Sequence, residues 1–303
     1  MPSHADVCQL PMTAESLALY ITIKLGQVST MFLKAFTFVT VGFLIGAFYL
    51  WGEPYKRGFF CDDESLKHPY KESTVTSVML YIAAQIDPKT ITEITLSVII
   101  ETNKALNSGR PREILGREVP AWVWEAYRVV GVFLFGCACQ QLTTDIAKYS
   151  IGRLRPHFFD ICRPNINCTA PEFKWRYIVD FECLRTDQPK LIKEMRLSFP
   201  SGHSSFSVYT MLYFSFYLQK RFTWRGSKLL RHLIQFALVM LAWYTVMTRV
   251  SDYKHHWSDV LAGVCVGLIY AVVVRRMNMV LRYIVFNISP YQLDRVQIWM
   301  VWR

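Results

Sequence analysis

The chain has 303 residues, of which 52% are hydrophobic and 19% charged, and its formal net charge is +11. This composition excludes an intrinsically disordered chain, whose hydrophobicity is low, and 8 cysteines are too few for a small disulfide-stabilised scaffold. The apolar residues lie in long runs without a polar stripe, which the core helices of a soluble protein rarely show. A run of about 18 such residues can cross the hydrocarbon layer of a membrane as a helix. The composition therefore indicates an integral membrane protein.

Six segments are candidate membrane spans, and they predict an all-α, polytopic bundle of six transmembrane helices. The first ends with the uncharged run Ala35–Trp51. The second, Thr76–Ile100, is the weakest, because it carries charged residues and a proline that are costly in lipid. The other four lie further along the chain, at Tyr127–Thr144, Gly202–Gln219, His232–Met247 and Trp257–Val274.

The six spans define a membrane domain of residues 31–280. We expect an N-terminal segment, 1–30, and a C-terminal tail, 281–303, to flank it on the cytoplasmic side. The longest loop, 148–200, is polar and is long enough to fold over a pocket. Lysine and arginine are divided equally between the two sides of the predicted domain, so the positive-inside rule does not decide the orientation.

Two other features favour an extracellular or lumenal position for the long loop. Asn167 begins the glycosylation sequon Asn-Cys-Thr and is the candidate acceptor, although such a tripeptide also arises by chance. Four cysteines lie in loops on the same predicted side, namely Cys61, Cys162, Cys168 and Cys183. Disulfides form in oxidising compartments, and these cysteines can pair in several ways among which the sequence does not choose.

Three clusters of polar residues lie at span ends on this side, and the first is basic. Lys148 and Arg155 are seven residues apart, so a continuing helix would present both on one face, with Arg153 close by. The alternative is a basic anchor whose side chains extend to lipid headgroups at the membrane interface.

The second cluster, Phe199–Ser205, directly precedes an apolar run. Pro200, Ser201 and Gly202 are typical of the turn that begins a helix, and Ser201 is a candidate cap. The first N–H groups of such a helix, approached closely at Gly202, form an anion site with His203 at its mouth. The alternative is a turn that merely begins the span, with His203 at the interface.

The third cluster, Thr248–Asp259, leads into the last span. His255 and Asp259 are four residues apart, so on a helix the carboxylate would reach the imidazole. A histidine oriented by a carboxylate serves as a nucleophile or a base, and half of a metal-ligand set is the alternative. His256 would point about 100° away from His255 on a helix and would lie at the interface.

The charges of the three clusters favour an anion over a metal ion. Lys148, Arg155 and Arg249 would repel a divalent cation, so we predict neither a metal nor any other cofactor. Three cations, two histidines and the amides at a helix start describe a pocket for a phosphate dianion.

The three clusters resemble the signature of the lipid phosphate phosphatases, also called type 2 phosphatidic acid phosphatases. The matching pattern is Lys148-x6-Arg155-Pro156, Pro200-Ser201-Gly202-His203 and Arg249-x5-His255-x3-Asp259. Longer segments such as RGFFCDDES and VSDYKHHWSDVLAG resemble the animal membrane branch, and KEMRLSFPSGHSSF is most similar to the Wunen-type enzymes. The resemblance runs from Arg57 to Gly267 and implies the helical phosphatase core of the vanadium haloperoxidases, a fold that does not by itself determine the substrate.

The resemblance implies a metal-independent hydrolysis through a phosphohistidine. His255 would be the nucleophile, Asp259 would orient it, and His203 would act as general acid and then as general base. The other signature residues would bind the phosphate, namely Lys148, Arg155, Ser201, Gly202 and Arg249. The implied substrates are phosphatidic acid, lysophosphatidic acid, sphingosine 1-phosphate and ceramide 1-phosphate. They would enter the pocket from the plasma membrane, and their hydrolysis would end extracellular lipid signals.

The sequence departs from the family in two places. Thr248 stands where a serine is usual, and because threonine keeps the hydroxyl, we expect its hydrogen bond to phosphate to survive. The segment Thr76–Ile100 and the tail after Arg276 are unlike the family. This difference affects the expected packing of the second helix and not the expected chemistry.

Other functions are alternatives. An inactive relative that serves as a membrane scaffold or lipid binder usually lacks the nucleophile or the cations, and all of these are present here. A transporter that uses Asp87 and Lys89 would leave the phosphate-binding residues unexplained. A water-soluble phosphate ester is the alternative substrate class. We expect no nucleic-acid partner, and although family members often form homo-oligomers, no residue here indicates one.

Overall fold

The structure of the protein is a computed structural model that describes residues 36–37, 39–76, 112–114, 117–119, 121–221 and 228–287. The chain divides into two compact units, Met1–Leu44 and Ile45–Arg303, and every residue predicted for the site belongs to the second. Most of the predicted span Thr76–Ile100 lies outside the described residues, as do the segment 1–30 and the end of the tail.

Helices dominate the described part of the chain. They are α1 (Val39–Trp51), α2 (Ala121–Ile151), α3 (Phe158–Cys162), α4 (Pro189–Glu194), α5 (Gly202–Arg221), α6 (Lys228–Ser251) and α7 (Trp257–Asn287). Two short antiparallel pairs accompany them, β1 (Phe59–Phe60) with β4 (Tyr177–Ile178) and β2 (Arg112–Ile114) with β3 (Arg117–Val119). The prediction of a helical protein is confirmed, and the four short strands are an addition to the all-α prediction.

Three of the predicted spans are confirmed as helices long and apolar enough to cross a membrane. They are Val129–Ile151, Leu229–Ser251 and Trp257–Met277. The shorter apolar helix α1 lies where the first span was predicted. The helix α5 covers the predicted span Gly202–Gln219, and serines and threonines form part of its buried face. The count of six spans stays a prediction.

Two glycines one turn apart let α7 approach α5, which also packs against α2 and α6. A Cβ at Gly263 would lie 2.5 Å from the Ser201 carbonyl oxygen, and a Cβ at Gly267 would lie 2.5 Å from that of Ser205. Small residues permit such close backbone contact between helices. One turn before Gly263, the Asp259 carbonyl accepts a hydrogen bond of 3.0 Å from the Ser201 N–H. This packing joins the second motif to the third.

The loops beside the three motifs form a unit with its own core, and we call residues 55–76 and 152–198 the loop module. The strands β1 and β4 pair within it, and the Phe59 ring lies 5.0–5.2 Å from the rings of Phe158, Phe159 and Phe181. Two disulfides, Cys61–Cys168 and Cys162–Cys183, connect its segments. The structure thus selects one of the pairings that the sequence left open.

Candidate active site

The first motif lies at the end of α2. The helix ends before Gly152, whose φ of +58° is left-handed and whose Cβ, if present, would collide with the Tyr55 carbonyl oxygen. Lys148 lies in the last turn, whereas Arg155 lies beyond the helix, where its N–H donates to the Met195 carbonyl at 2.8 Å. The predicted continuation of the helix through Arg155 is therefore wrong. The loop module, and not a helix face, positions this guanidinium.

Lys148 contacts the start of α5. A Cβ at Gly202 would lie 2.9 Å from the Lys148 Nζ, so the absent side chain leaves room for the ammonium group. The same Nζ lies 3.5 Å from the Asp145 Oδ1. Lys148 of the first motif thus lies against Gly202 of the second motif.

Ser201 caps α5, as the sequence predicted. Its Oγ accepts a hydrogen bond from the Ser204 N–H at 3.4 Å, which is the N3 position of the helix, and another from the Ser204 hydroxyl at 2.9 Å. Since its Oγ accepts both bonds, the Ser201 hydroxyl can donate its own proton to an anion.

His255 is held in one tautomer by the backbone of the loop module. Its Nδ1 lies 2.7 Å from the Ser198 carbonyl oxygen. A carbonyl only accepts, so Nδ1 carries the proton and Nε2 presents its lone pair. Burial, with the charges of Arg155, His203 and Lys148, lowers the pKa of His255 well below its usual value of 6.5. The side chain is therefore a neutral, oriented imidazole at physiological pH.

Asp259 is fully buried, and its carboxylate makes contacts that the sequence did not predict. One oxygen accepts from the Ser198 hydroxyl at 2.6 Å and from the His256 N–H at 3.1 Å, and it lies 3.2 Å from the His256 Nδ1. The other oxygen accepts from the Arg153 guanidinium. Asp259 therefore orients Ser198 and His256 directly.

The prediction that the Asp259 carboxylate contacts His255 directly is therefore wrong. The helix α7 begins at Trp257, so His255 precedes it, and the four-residue spacing does not bring the imidazole onto the carboxylate. Ser198 connects the two residues instead, because its carbonyl accepts from His255 and its hydroxyl donates to Asp259. His256, predicted at the interface, is largely buried beside Asp259.

Arg249 is 1% exposed and is held from two sides. Its Nη2 lies 3.4 Å from the Asp252 Oδ2 and 3.3 Å from the Thr248 Oγ1. The Thr248 hydroxyl donates to the Thr245 carbonyl at 2.8 Å. Thr248 thus helps to position Arg249, and its hydrogen bond to phosphate stays a prediction.

Asp252 also fastens the loop module to the third motif. Its two carboxylate oxygens accept from the N–H and the hydroxyl of Thr74, each at 2.8 Å. The Lys71 Nζ lies 3.5 Å from the same carboxylate. The segment that precedes the predicted second span is therefore bound directly beside Arg249.

Charge interactions and unpaired donors place the motifs around one pocket. The charges of Arg155 and Lys148 act on both His203 and His255, and that of Arg249 acts on His203. The Nε atoms of Arg155 and Arg249 are buried and have no hydrogen-bond partner within the described part of the chain. An unpaired buried donor is costly, and each of these two groups can donate a hydrogen bond to an anion.

Four residues that complete this arrangement were given no role by the sequence analysis, namely Thr74, Arg153, Ser198 and Asp252. Asp252 has a signal in the sequence, because it follows Arg249 by three residues, just after the end of α6. Ser198 has none, since its carbonyl is a group that every residue carries. Asn167, the candidate glycosylation site, is exposed, and its Oδ1 accepts from the Thr169 hydroxyl at 2.6 Å.

Comparison with known proteins finds relatives over most of the chain. Residues 129–283 match the model of the PAP2 superfamily. A putative phosphatidate phosphatase of Drosophila melanogaster is 53% identical over 243 residues, which are 77% of this chain and 64% of that protein. Phospholipid phosphatase 1 of Rattus norvegicus is 43% identical over 73% of this chain and 74% of its own length. Phospholipid phosphatase 2 of Homo sapiens is 40% identical over 72% of both. No solved structure matches the chain.

Proposed function

The chain belongs to the PAP2 superfamily, and on that premise we propose that it is an integral membrane phosphatase that hydrolyses the phosphomonoester of lipid phosphates. The family predicted from the three motifs is thereby confirmed. The observation that carries the activity is the neutral His255, held by the Ser198 carbonyl with its Nε2 available, beside buried guanidinium groups that have unpaired donors.

Binding of the phosphate dianion uses the positive groups of all three motifs. Lys148, Arg155 and Arg249 attract its oxygens, and the Ser201 hydroxyl and the Gly202 N–H donate hydrogen bonds at the start of α5. These donors are in place before the substrate arrives, so they also stabilise charge in the transition state. The three cations can play the role that Mg²⁺ plays in other phosphoryl transfers.

The reaction proceeds in two displacements at phosphorus. The His255 Nε2 forms a bond to phosphorus as the bond to the lipid oxygen breaks, and His203 donates a proton to that oxygen. His203 then takes a proton from water, whose oxygen attacks phosphorus while the bond to Nε2 breaks. Inorganic phosphate leaves, and His203 is protonated again.

Asp259 supports the nucleophile through Ser198. Its carboxylate holds the Ser198 hydroxyl at 2.6 Å, and this contact positions the carbonyl that accepts from the His255 Nδ1. The pair of hydrogen bonds fixes the orientation of the ring, as a supporting residue does around many active sites.

The substrate class follows from the position of the site at the ends of apolar helices. Two of the membrane-length helices end at Ile151 and Ser251 and a third begins at Trp257, so each of these ends lies beside one of the motifs in the chain. A headgroup can enter there while the acyl chains stay in the bilayer. Phosphatidic acid, lysophosphatidic acid, sphingosine 1-phosphate and ceramide 1-phosphate all share this form.

The two disulfides support an extracellular site, because structural disulfides form in oxidising compartments. The enzyme would then act at the plasma membrane on lipid signals outside the cell, with residues 1–30 and 281–303 in the cytoplasm. The exposed sequon at Asn167 supports the same orientation. A glycan lost on Asn167→Gln would agree with this side, and modification of the N-terminal segment by an extracellular reagent would contradict it.

Phosphate release from phosphatidic acid, by purified protein in EDTA, tests the proposed activity. We expect release that continues without added metal, and slower release from a water-soluble sugar phosphate at equal concentration. Intact cells that express the chain should also hydrolyse lysophosphatidic acid supplied outside. Release that needs a divalent metal would contradict the mechanism, and faster release from the sugar phosphate would contradict the substrate class.

Gly202→Ala tests the contact between the first and second motifs. We expect the fold to survive, because the new methyl group meets only the flexible end of Lys148, but kcat/KM should fall roughly tenfold as the ammonium moves away. Gly131→Ala is the matched control, since a Cβ there meets nothing within 4 Å. Equal kcat/KM for wild type and Gly202→Ala would show that Lys148 does not need this space.

A further inference from the structure

Within the described residues, Lys254 differs from the other cations of the site, because no carboxylate forms an ion pair with it. Lys148 lies 3.5 Å from Asp145, Arg155 lies 3.8 Å from Glu194 and Arg249 lies 3.4 Å from Asp252. For Lys254, the part of the chain that the structure describes holds no carboxylate within 4.0 Å of the ammonium. The residue is nevertheless only 5% exposed. Burying a cation without a counter-ion is costly, so an anion that binds beside this ammonium would stabilise it.

The backbone places Lys254 directly beside the nucleophile. The N–H groups of Lys254 and His255 both donate to the Arg249 carbonyl, at 3.1 and 3.2 Å. Tyr253 adopts a left-handed φ of 54° in the same turn. Both side chains are buried, and the turn connects their backbone to that of Arg249, which we propose to bind phosphate.

An aromatic ring of the loop module fixes the position of the ammonium. The Lys254 Nζ lies 3.7 Å from the centroid of the Tyr70 ring, a cation–π contact. Tyr70 is itself fixed, because its N–H donates to the Asp160 carboxylate at 2.8 Å and its ring meets His157 edge-on at 5.3 Å. The ring orients the charge of Lys254 without neutralising it.

Several charged groups face Lys254 from the surrounding elements. Burial and the charges of Arg155 and Arg249 lower the pKa of Lys254 to about 8, against the opposing effect of the Glu194 and Asp252 carboxylates. His157 is not a further cation, because burial lowers its pKa to about 4. An anion that enters between the two guanidinium groups therefore relieves the repulsion on Lys254 as well.

We propose that Lys254 is a fourth phosphate-binding cation, whose ammonium is held over the Tyr70 ring until the substrate phosphate binds. The inference rests on the proposed function and adds a residue outside the three-part signature. Inorganic phosphate and the headgroup of a lipid phosphate share the chemistry that this ammonium recognises. It therefore contributes to binding both substrate and product.

The test compares purified full-length wild type with Lys254→Gln in detergent micelles at pH 7. We expect the KM for phosphatidic acid and the inhibition constant for inorganic phosphate to rise together, each about tenfold, while kcat changes less than threefold. Lys254→Arg should keep most of the affinity. The matched control is Lys67→Gln, because this lysine is on the same segment as Tyr70 but is exposed and paired with Glu64 at 2.7 Å.

The pH dependence gives a second readout. Lys254 loses its proton as the pH rises through about 8, so the wild-type inhibition constant for phosphate should increase there, and this increase should be absent from Lys254→Gln. Tyr70→Phe should retain the wild-type affinity, because it keeps the ring face, whereas Tyr70→Leu should weaken it. If Lys254→Gln does not fold, the comparison of Tyr70→Phe with Tyr70→Leu tests the proposed role of Lys254 instead.

Unchanged constants in Lys254→Gln, with an active wild type, would overturn this inference and leave the proposed function intact. A rise in KM without a rise in the inhibition constant for phosphate would also overturn it, because the lysine would then contact the rest of the lipid. A wild type that releases no phosphate would remove the proposed function and this inference together.

Discussion

Substitution of His255 by glutamine is expected to abolish phosphate release from phosphatidic acid. The loss of kcat should be roughly 10⁴-fold or more, because the proposed mechanism makes this residue the nucleophile that bonds to phosphorus. Glutamine keeps a polar side chain of similar length, so the protein should still fold and form both disulfides. Rates are measured on purified protein with intact disulfides, so that loss of folding is not read as loss of chemistry.

The matched control for this substitution is His232→Gln. His232 is an exposed histidine on α6 that belongs to none of the three motifs, and its Nδ1 lies 3.1 Å from the Gln235 Oε1. We expect its activity to equal that of wild type. Turnover by His255→Gln within tenfold of wild type would show that another group attacks phosphorus, and the mechanism would have to be abandoned.

Substitution of His203 by glutamine should affect the two displacements differently. For phosphatidic acid, whose leaving group is a poor alkoxide, we expect kcat to fall by roughly 10² to 10⁴, the usual contribution of general acid–base catalysis. A nitrophenyl phosphate has a leaving group that needs no proton, so the first displacement should proceed almost normally. The second displacement still lacks its base and should become rate-limiting.

The expected result with the nitrophenyl ester is a burst of nitrophenol equal to the amount of enzyme, followed by slow turnover. The enzyme should then carry phosphate bound to nitrogen, which is labile in acid and stable in base. The double variant His203→Gln/His255→Gln is the control and should show neither burst nor label. An equal loss of rate for both substrates without a burst would mean that His203 does not transfer the protons.

The groups that we propose for the chemistry could be named from the sequence, because their types and spacing are visible in the chain. A run of apolar residues long enough to cross a bilayer has to be helical, since a helix satisfies its own backbone, and three predicted spans are such helices. Ser201 before an apolar run was predicted as a cap, and it is one. The three motifs indicated the PAP2 superfamily, which the relatives confirm. These inferences depend on local sequence alone.

The partners of those groups were not predictable in the same way. The Asp259 carboxylate was expected on His255 from a helical spacing, but α7 begins two residues after His255, and the Ser198 carbonyl takes that position. Likewise, the spacing of Lys148 and Arg155 suggested one helix face, yet Gly152 ends the helix between them. In each case a spacing rule was applied across a helix boundary that the sequence does not mark.

The sequence by itself therefore determined the family, the three helices of membrane length and the charge of the residues proposed for the site. Only the tertiary structure decided what holds them: the Ser198 carbonyl on His255, the close approach of α7 to α5 at Gly263, the disulfide pairing and the Tyr70 ring under Lys254. The physical reason is that chemical reactivity belongs to a side chain and can be read at its position. Orientation comes from backbone groups, which every residue carries, and from contacts between distant segments that exist only once the helices have packed.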